Sequence, residues 1–215
     1  MRTAAVLLLL LPATQAEAQE SLETKLVITQ EGRETGREEF TLRQGRGRGA
    51  PGSTLISVAR YPATNPLLKL AATLERTPES ALAKFQLDVE GPNGTTVILA
   101  AGSGARLIVR TVAKGSEAGR ELPGGPDVVL LDEAVYSLYS AVADLATLSG
   151  KALTGVFPRT SRRVSFVARR EAGGGGGATV TLSGDISGTL VTDAKGRVQH
   201  LEFPGSHIVV TRAPD

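Results

Sequence analysis

The chain contains no cysteine and no tryptophan, and its 215 residues include one methionine, five phenylalanines and three tyrosines. Without cysteine no disulfide can staple the fold, so cohesion must come from a buried core, which a chain of this length can form. The missing thiol also removes the usual lipid attachment point of a bacterial lipoprotein. So few rings disfavour a carbohydrate site built on stacked aromatics, and an apolar cavity would be lined mainly by Leu, Ile, Val and Ala. An excess of one charge is lacking too: 24 Lys and Arg against 22 Asp and Glu leave a net charge of +2. Basic spots occur at Arg43, Arg46 and Arg48, at Arg162-Arg163 and at Arg169-Arg170. They fall short of the basic excess and aromatic platforms of nucleic-acid binding, so no nucleic-acid partner is expected.

Long hydrophobic runs are absent after the first dozen residues. At the start, Arg2 precedes an apolar stretch from Ala4 to Leu11, Pro12 ends it, and Ala16-Glu17-Ala18 supplies a small-x-small cleavage pattern. This reads as a signal peptide over 1–18, with a mature chain from Gln19. The stretch is shorter than the roughly 20 apolar residues a membrane-spanning helix needs. The expectation is an exported protein of the periplasm or the extracellular space, not integral to the membrane once the leader is removed. Residues 19–215 are expected to form one β-rich domain.

What the chain does have is alternation. Leu22 to Gln30, Arg37 to Arg43, Thr54 to Arg60, Leu67 to Glu75, Leu82 to Glu90, Thr95 to Ala101 and Ala105 to Val112 read as strands separated by turns. Phe40 and Leu42 alternate against Glu39, Thr41 and Arg43, as a pleated strand requires. Asn93-Gly94 marks a tight hairpin, and Gln44 to Ser53 reads as a loop. The glycine run Gly173 to Gly177 reads as a hairpin tip. Strands resume at Val164 to Arg170 and close with Ala178 to Leu182, Gly188 to Thr192, Arg197 to Phe203 and Ser206 to Arg212. One stretch differs. Asp132 is placed to cap a helix over 133–148 carrying Val135, Leu138, Val142 and Leu145 on one stripe, with Gly150 as a stop. A helix with one apolar stripe must cover something apolar, and only the sheet is available. The expected fold is therefore mainly β: a curved antiparallel meander, or half-barrel, of about eleven strands with one central helix packed on its concave side.

Candidates for chemistry are sparse. With Pro204-Gly205 as a two-residue turn, Glu202 would face His207 and share a sheet face with His200, a set able to bind zinc. The preferred reading of His200, Glu202 and His207 is an exposed sheet face with a Glu-His pair, so no metal and no cofactor is expected. Asp127, Asp132 and Glu133 suit the start of a helix. Gly102-Ser103-Gly104 is a turn between strands and not a nucleophile elbow, and Gly45 to Gly52 lacks the Lys-Ser/Thr sequel of a phosphate loop. No catalytic residue is assigned. Val135, Leu138, Tyr139 and Val142 are the expected wall of a ligand cleft, with Tyr136 and Tyr139 offering hydroxyls at its mouth.

Three short patterns accompany this layout: Gly32-Arg33-Glu34-Thr35-Gly36 followed by Glu38 to Leu42, Val129-Leu130-Leu131-Asp132 before the helix, and Asp193-Ala194-Lys195-Gly196-Arg197 near the end. Together the layout resembles periplasmic half-barrel proteins of the LolA/LolB-like type, and the patterns are similar to those of related uncharacterised exported bacterial families. The resemblance implies a curved sheet closed by helices that holds lipid or acyl groups. The expected function is an exported, non-enzymatic protein binding an apolar or lipid-like ligand between sheet and helix. Two alternatives are a cell-envelope interaction or scaffold protein holding a partner protein, and a metal-dependent hydrolase.

Overall fold

A computed structural model of the protein describes residues 24–45, 52–171 and 176–214. The expected leader over 1–18, most of the Gln44–Ser53 loop and most of the glycine run lie outside the described residues. The described residues form one sheet of fifteen strands. The first eight are β1 (Thr24–Gln30), β2 (Arg33–Gln44), β3 (Ser53–Tyr61), β4 (Leu68–Arg76), β5 (Leu82–Gly91), β6 (Gly94–Ser103), β7 (Arg106–Ala113) and β8 (Ser116–Pro123). After β9 (Val128–Leu130) come β10 (Lys151–Phe157), β11 (Arg162–Arg170), β12 (Ala178–Gly184), β13 (Gly188–Thr192), β14 (Val198–Phe203) and β15 (Ile208–Arg212).

The spatial order runs from β8 back to β1, continues with β15, and descends to β9 at the far edge. Every neighbouring pair is antiparallel except β9 and β10, which run parallel. That exception explains the helix. Parallel neighbours cannot be joined by a hairpin, so the chain between them must cross one face of the sheet. Residues 131–150 are that crossover, and they lie on the concave side. The link from β8 to β9 is only Gly124 to Asp127, which can span roughly 18 Å at full extension. The two free edges of the sheet therefore come close together, yet the sheet stays open.

Alternation decides what the concave face contains. Leu26 and Ile28 of β1, Phe40 of β2, Leu55 of β3, Leu70 and Leu74 of β4, Leu87 of β5 and Leu107 of β7 all turn inward and are buried. From the other half come Phe166, Val180, Leu190, Leu201 and Val210. Val135, Leu138 and Val142 of the crossover meet them and are fully buried. Each large aliphatic side chain so removed from water contributes about 1.5–3 kcal/mol.

Two expectations need adjusting. The strands among the described residues number fifteen rather than about eleven: beyond the twelve segments that alternation outlines come β8, so exposed and polar that it carries no alternating apolar signal, and β9 and β10, whose runs are buried without alternation. The helix is shorter than 133–148. A 3-10 turn over Tyr136–Tyr139 leads into α1 (Ser140–Leu145), and Ala146 is already extended. The chain leaves the helix because Thr147 bridges to Arg169 and its carbonyl accepts the Arg170 N–H at 2.9 Å, so Leu148 is turned outward and 66% exposed.

Candidate functional site: the crossover and its flanking cleft

The crossover is held by side chains from across the sheet. Glu38 on β2 shares parity with Phe40 and so points inward, where it is completely buried. Its carboxylate accepts hydrogen bonds from the Tyr136 N–H at 2.7 Å, the Ser137 N–H at 3.1 Å and the Ser57 hydroxyl at 2.6 Å. A residue nearly a hundred positions away thus satisfies the free donors at the start of the helical segment, the task that Asp132 was expected to perform. Burial pushes the Glu38 carboxyl above the usual carboxylate range, while the donors from Ser137, Ser57 and Tyr136 pull it back only in part. No cation among the described residues pairs with it.

Asp132 serves elsewhere. It is buried, accepts the Ala134 N–H at 2.8 Å, and holds Arg159 through two bonds of 2.9 Å. The Tyr61 hydroxyl donates to the Ala134 carbonyl at 2.9 Å. At the other end Arg76, inward on β4, binds Asp144 at 2.7 Å, and Arg170 donates to the Ala143 carbonyl at 2.8 Å. Burial raises the Asp144 carboxyl despite the neighbouring Arg76, and burial likewise lowers Arg76.

Beside the first half of the crossover lies an open cleft of about 500 Å³. Its apolar wall is Tyr136, Tyr139, Phe157, Ile186, Phe203 and Ile208, and Asp132, Glu133, Arg162, Asp185, Ser187 and Ser206 line the rest. Four of the eight aromatic residues of this ring-poor chain meet here. The Phe203 ring stands 5.3 Å from Tyr139 and 6.4 Å from Tyr136, centroid to centroid. Phe157 carries the Arg162 guanidinium 4.2 Å above its ring, and Arg162 also pairs with Glu133 at 3.1 Å on the rim. Neither the Tyr136 nor the Tyr139 hydroxyl has a hydrogen-bond partner among the described residues, although both side chains are largely buried. Burial raises the pKa of both phenols, so they remain neutral donors at every ordinary pH.

Of the expected cleft residues, Tyr139 lines this space, whereas Val135, Leu138 and Val142 face the sheet and have no exposed surface. The space directly beneath the helix is filled by side chains, and the opening is at its flank. Phe203, Phe157 and Ile186 were missed: Phe203 sits at a strand end, and Phe157 and Ile186 fall in segments with no clear alternation.

The histidine set does not assemble. Phe203 faces Ile208 rather than Ser206, so residues 204–207 form a longer connection, with a 3-10 turn over Pro204–Ser206 and His207 in the left-handed region at φ 53°. Pro204 favours starting a helical turn rather than a two-residue hairpin. His200 and Glu202 lie 3.7 Å apart on the strand, while His207 sits in the turn. Among the described residues no three His, Cys, Asp or Glu side chains are grouped to hold a metal ion.

Fold and site together define an open half-barrel with an anchored crossover and an aromatic cleft at its side. No family model and no curated protein matches the chain. It is similar to the crystal structure of a DUF1089 family protein from Pseudomonas aeruginosa, with a TM-score of 0.51 and 14% identity, covering 80% of this chain and 90% of that one. That likeness extends to the fold alone, and it carries no LolA/LolB identity.

Proposed function

We propose that the protein is an exported, non-enzymatic carrier or sensor that binds an amphiphile, a molecule with an apolar body and a polar head, in the cleft beside the crossover. The observation that carries this reading is the pair of largely buried tyrosines beside Phe157, Ile186, Phe203 and Ile208, in a cleft whose remaining lining, Asp132, Glu133, Arg162, Asp185, Ser187 and Ser206 among it, is polar. A ligand's apolar part would lie against Phe157, Ile186, Phe203 and Ile208, gaining about 0.8 kcal/mol per buried methylene. Its head would accept hydrogen bonds from Tyr136 and Tyr139. A cleft of about 500 Å³ falls within the usual range for small-molecule sites. The finer reading, a LolA/LolB-like acyl carrier of the periplasm, is the specific form this proposal takes.

The absence of tryptophan makes tyrosine fluorescence a direct reporter. Titration with laurate and with dodecyl maltoside should give saturable changes. Tyr139→Phe should weaken binding up to about tenfold, the worth of one hydrogen bond, and Phe203→Ala should weaken it further. Native mass spectrometry of gently purified protein should show a retained ligand. Absence of saturable binding to both probes, with nothing retained, would overturn the reading.

A further inference from the structure

A second cleft, of about 520 Å³, lies at the opposite end of the crossover and is polar in character. It is bounded by Arg43 at the end of β2, Asp144 and Arg170, and by Asp193, Lys195 and Arg197 of the β13–β14 turn. The two carboxylates are already neutralised. Asp144 is held by Arg76 at 2.7 Å and Asp193 by Arg197 at 2.6 Å. Arg43 and Lys195 make no ion pair among the described residues, Arg170 makes no direct ion pair there but lies in the field of Asp144, and the Arg170 Nε is buried with no acceptor among the described residues. With Arg76 behind Asp144, cations outnumber carboxylates around this cleft, and gathering them there costs repulsion. That repulsion is relieved by a bound anion.

The turn that presents Lys195 is built to hold its shape. The Asp193 carboxylate accepts the Lys195 N–H and the Arg197 N–H, each at 2.9 Å, and the Arg197 Nε at 2.7 Å. Gly196 supplies the left-handed residue, at φ +76°, and a side chain there would press on the Asp144 carboxylate. The Asp-x-x-Gly-Arg pattern thus has a structural meaning: it fixes a loop that carries a free lysine at the mouth of a cationic cleft.

We propose that this cleft binds the dianionic phosphate of a phosphate monoester, with Arg170 and Lys195 facing the oxyanion and Arg43 closing the outer side. The proposal stands independently of the amphiphile reading, because the two clefts share no lining residue. The cleft is larger than inorganic phosphate needs, which leaves room for a polar organic group. That group could be a soluble phosphorylated compound or a lipid headgroup; the recognition chemistry is the same.

The test is a titration of ¹⁵N-labelled protein with glucose 6-phosphate, orthophosphate and glucose, alongside flotation with vesicles of phosphatidic acid or of phosphatidylcholine alone. Saturable shifts centred on residues 193–197 with glucose 6-phosphate, weaker with orthophosphate and absent with glucose, support a soluble ligand. Flotation with phosphatidic acid but not phosphatidylcholine, without a soluble response, supports a headgroup. In either case the Arg43→Ala/Lys195→Ala variant, which alters only exposed and unpaired side chains, should bind at least tenfold more weakly. No saturable response to any phosphate probe, or a double variant within twofold of the parent, overturns the proposal.

Discussion

Replacing Glu38 by alanine is the sharpest perturbation the fold offers. The substitution strands two buried backbone donors, the N–H groups of Tyr136 and Ser137, while the Ser57 hydroxyl can rotate to another acceptor. Each stranded donor costs about 1–3 kcal/mol, so the loss is about 2–6 kcal/mol before any relief from removing a buried charge. Against a total stability of about 5–15 kcal/mol for a typical domain, that is a large fraction. Glu38→Gln is the informative partner. Its carbonyl can accept both N–H groups and its amide can donate to Ser57, so it should stay within about 1 kcal/mol of the parent at neutral pH. The pH dependence separates the two further. Burial raises the folded-state pKa of Glu38 above its unfolded value. Its contribution is therefore complete below the ordinary carboxylate range and is lost as pH rises through the folded pKa. Urea unfolding of the parent and of Glu38→Gln between pH 5 and pH 8 should show the parent gaining on the variant as pH falls, by at most about 1.4 kcal/mol per pH unit. Comparing these two proteins cancels Asp144, whose carboxyl is also raised. A Glu38→Ala protein within about 0.5 kcal/mol of the parent, or a parent–Gln difference flat with pH, would refute the reasoning.

Arg159→Ala leaves Asp132 buried without its bidentate partner and should cost about 3 kcal/mol in urea unfolding; Arg159→Ala with Asp132→Asn should cost less than the sum of the two single changes. Gly36→Val would drive a side chain into the Tyr61 ring and to within about 2.8 Å of the Arg60 carbonyl, so its near-ultraviolet tyrosine signal should be lost along with soluble expression. Leu148→Ser, at a position that is 66% exposed, should change stability by no more than about 0.5 kcal/mol, which a helix running to residue 148 with Leu148 on its buried stripe would not allow.

The sequence made the architecture legible wherever burial acts through periodicity. Phe40, Leu42 and their counterparts repeat every second residue because one face of each strand meets the core, and Val135, Leu138 and Val142 repeat at helical spacing because one stripe meets the sheet. What stayed hidden depends on pairings between distant residues. The Glu38 parity with Phe40 was a usable signal: an acidic residue at an inward position needs a donor inside. Nothing local says that those donors belong to Tyr136 and Ser137. The aromatic cleft was partly legible, through Tyr136 and Tyr139, but Phe157 and Phe203 reach it from the ends of β10 and β14 and Ile186 from the β12–β13 connection. The histidine set failed on a two-residue register difference at the β14–β15 turn, which repositions His207 from the ladder into the connection itself.

The anchoring of the crossover also bears on how a ligand of either proposed cleft would enter. If residues 131–146 opened as a lid, three fully buried aliphatic side chains, Val135, Leu138 and Val142, would return to water at about 1.5–3 kcal/mol each. The links from Glu38, Tyr61, Arg76, Arg159 and Arg170 would break as well, at about 1 kcal/mol each or more. The sum is of the order of the whole stability of a domain, about 5–15 kcal/mol, so opening is scarcely cheaper than unfolding. Under the two binding proposals, ligands would then use the flanking clefts as they stand. The amide hydrogens within Ser140–Leu145 should exchange only through global unfolding, with protection equal to that of β1 and β15 at the centre of the sheet. Exchange of that helix several kcal/mol more easily than the central strands would restore the lid, and with it a ligand site beneath Val135 and Leu138.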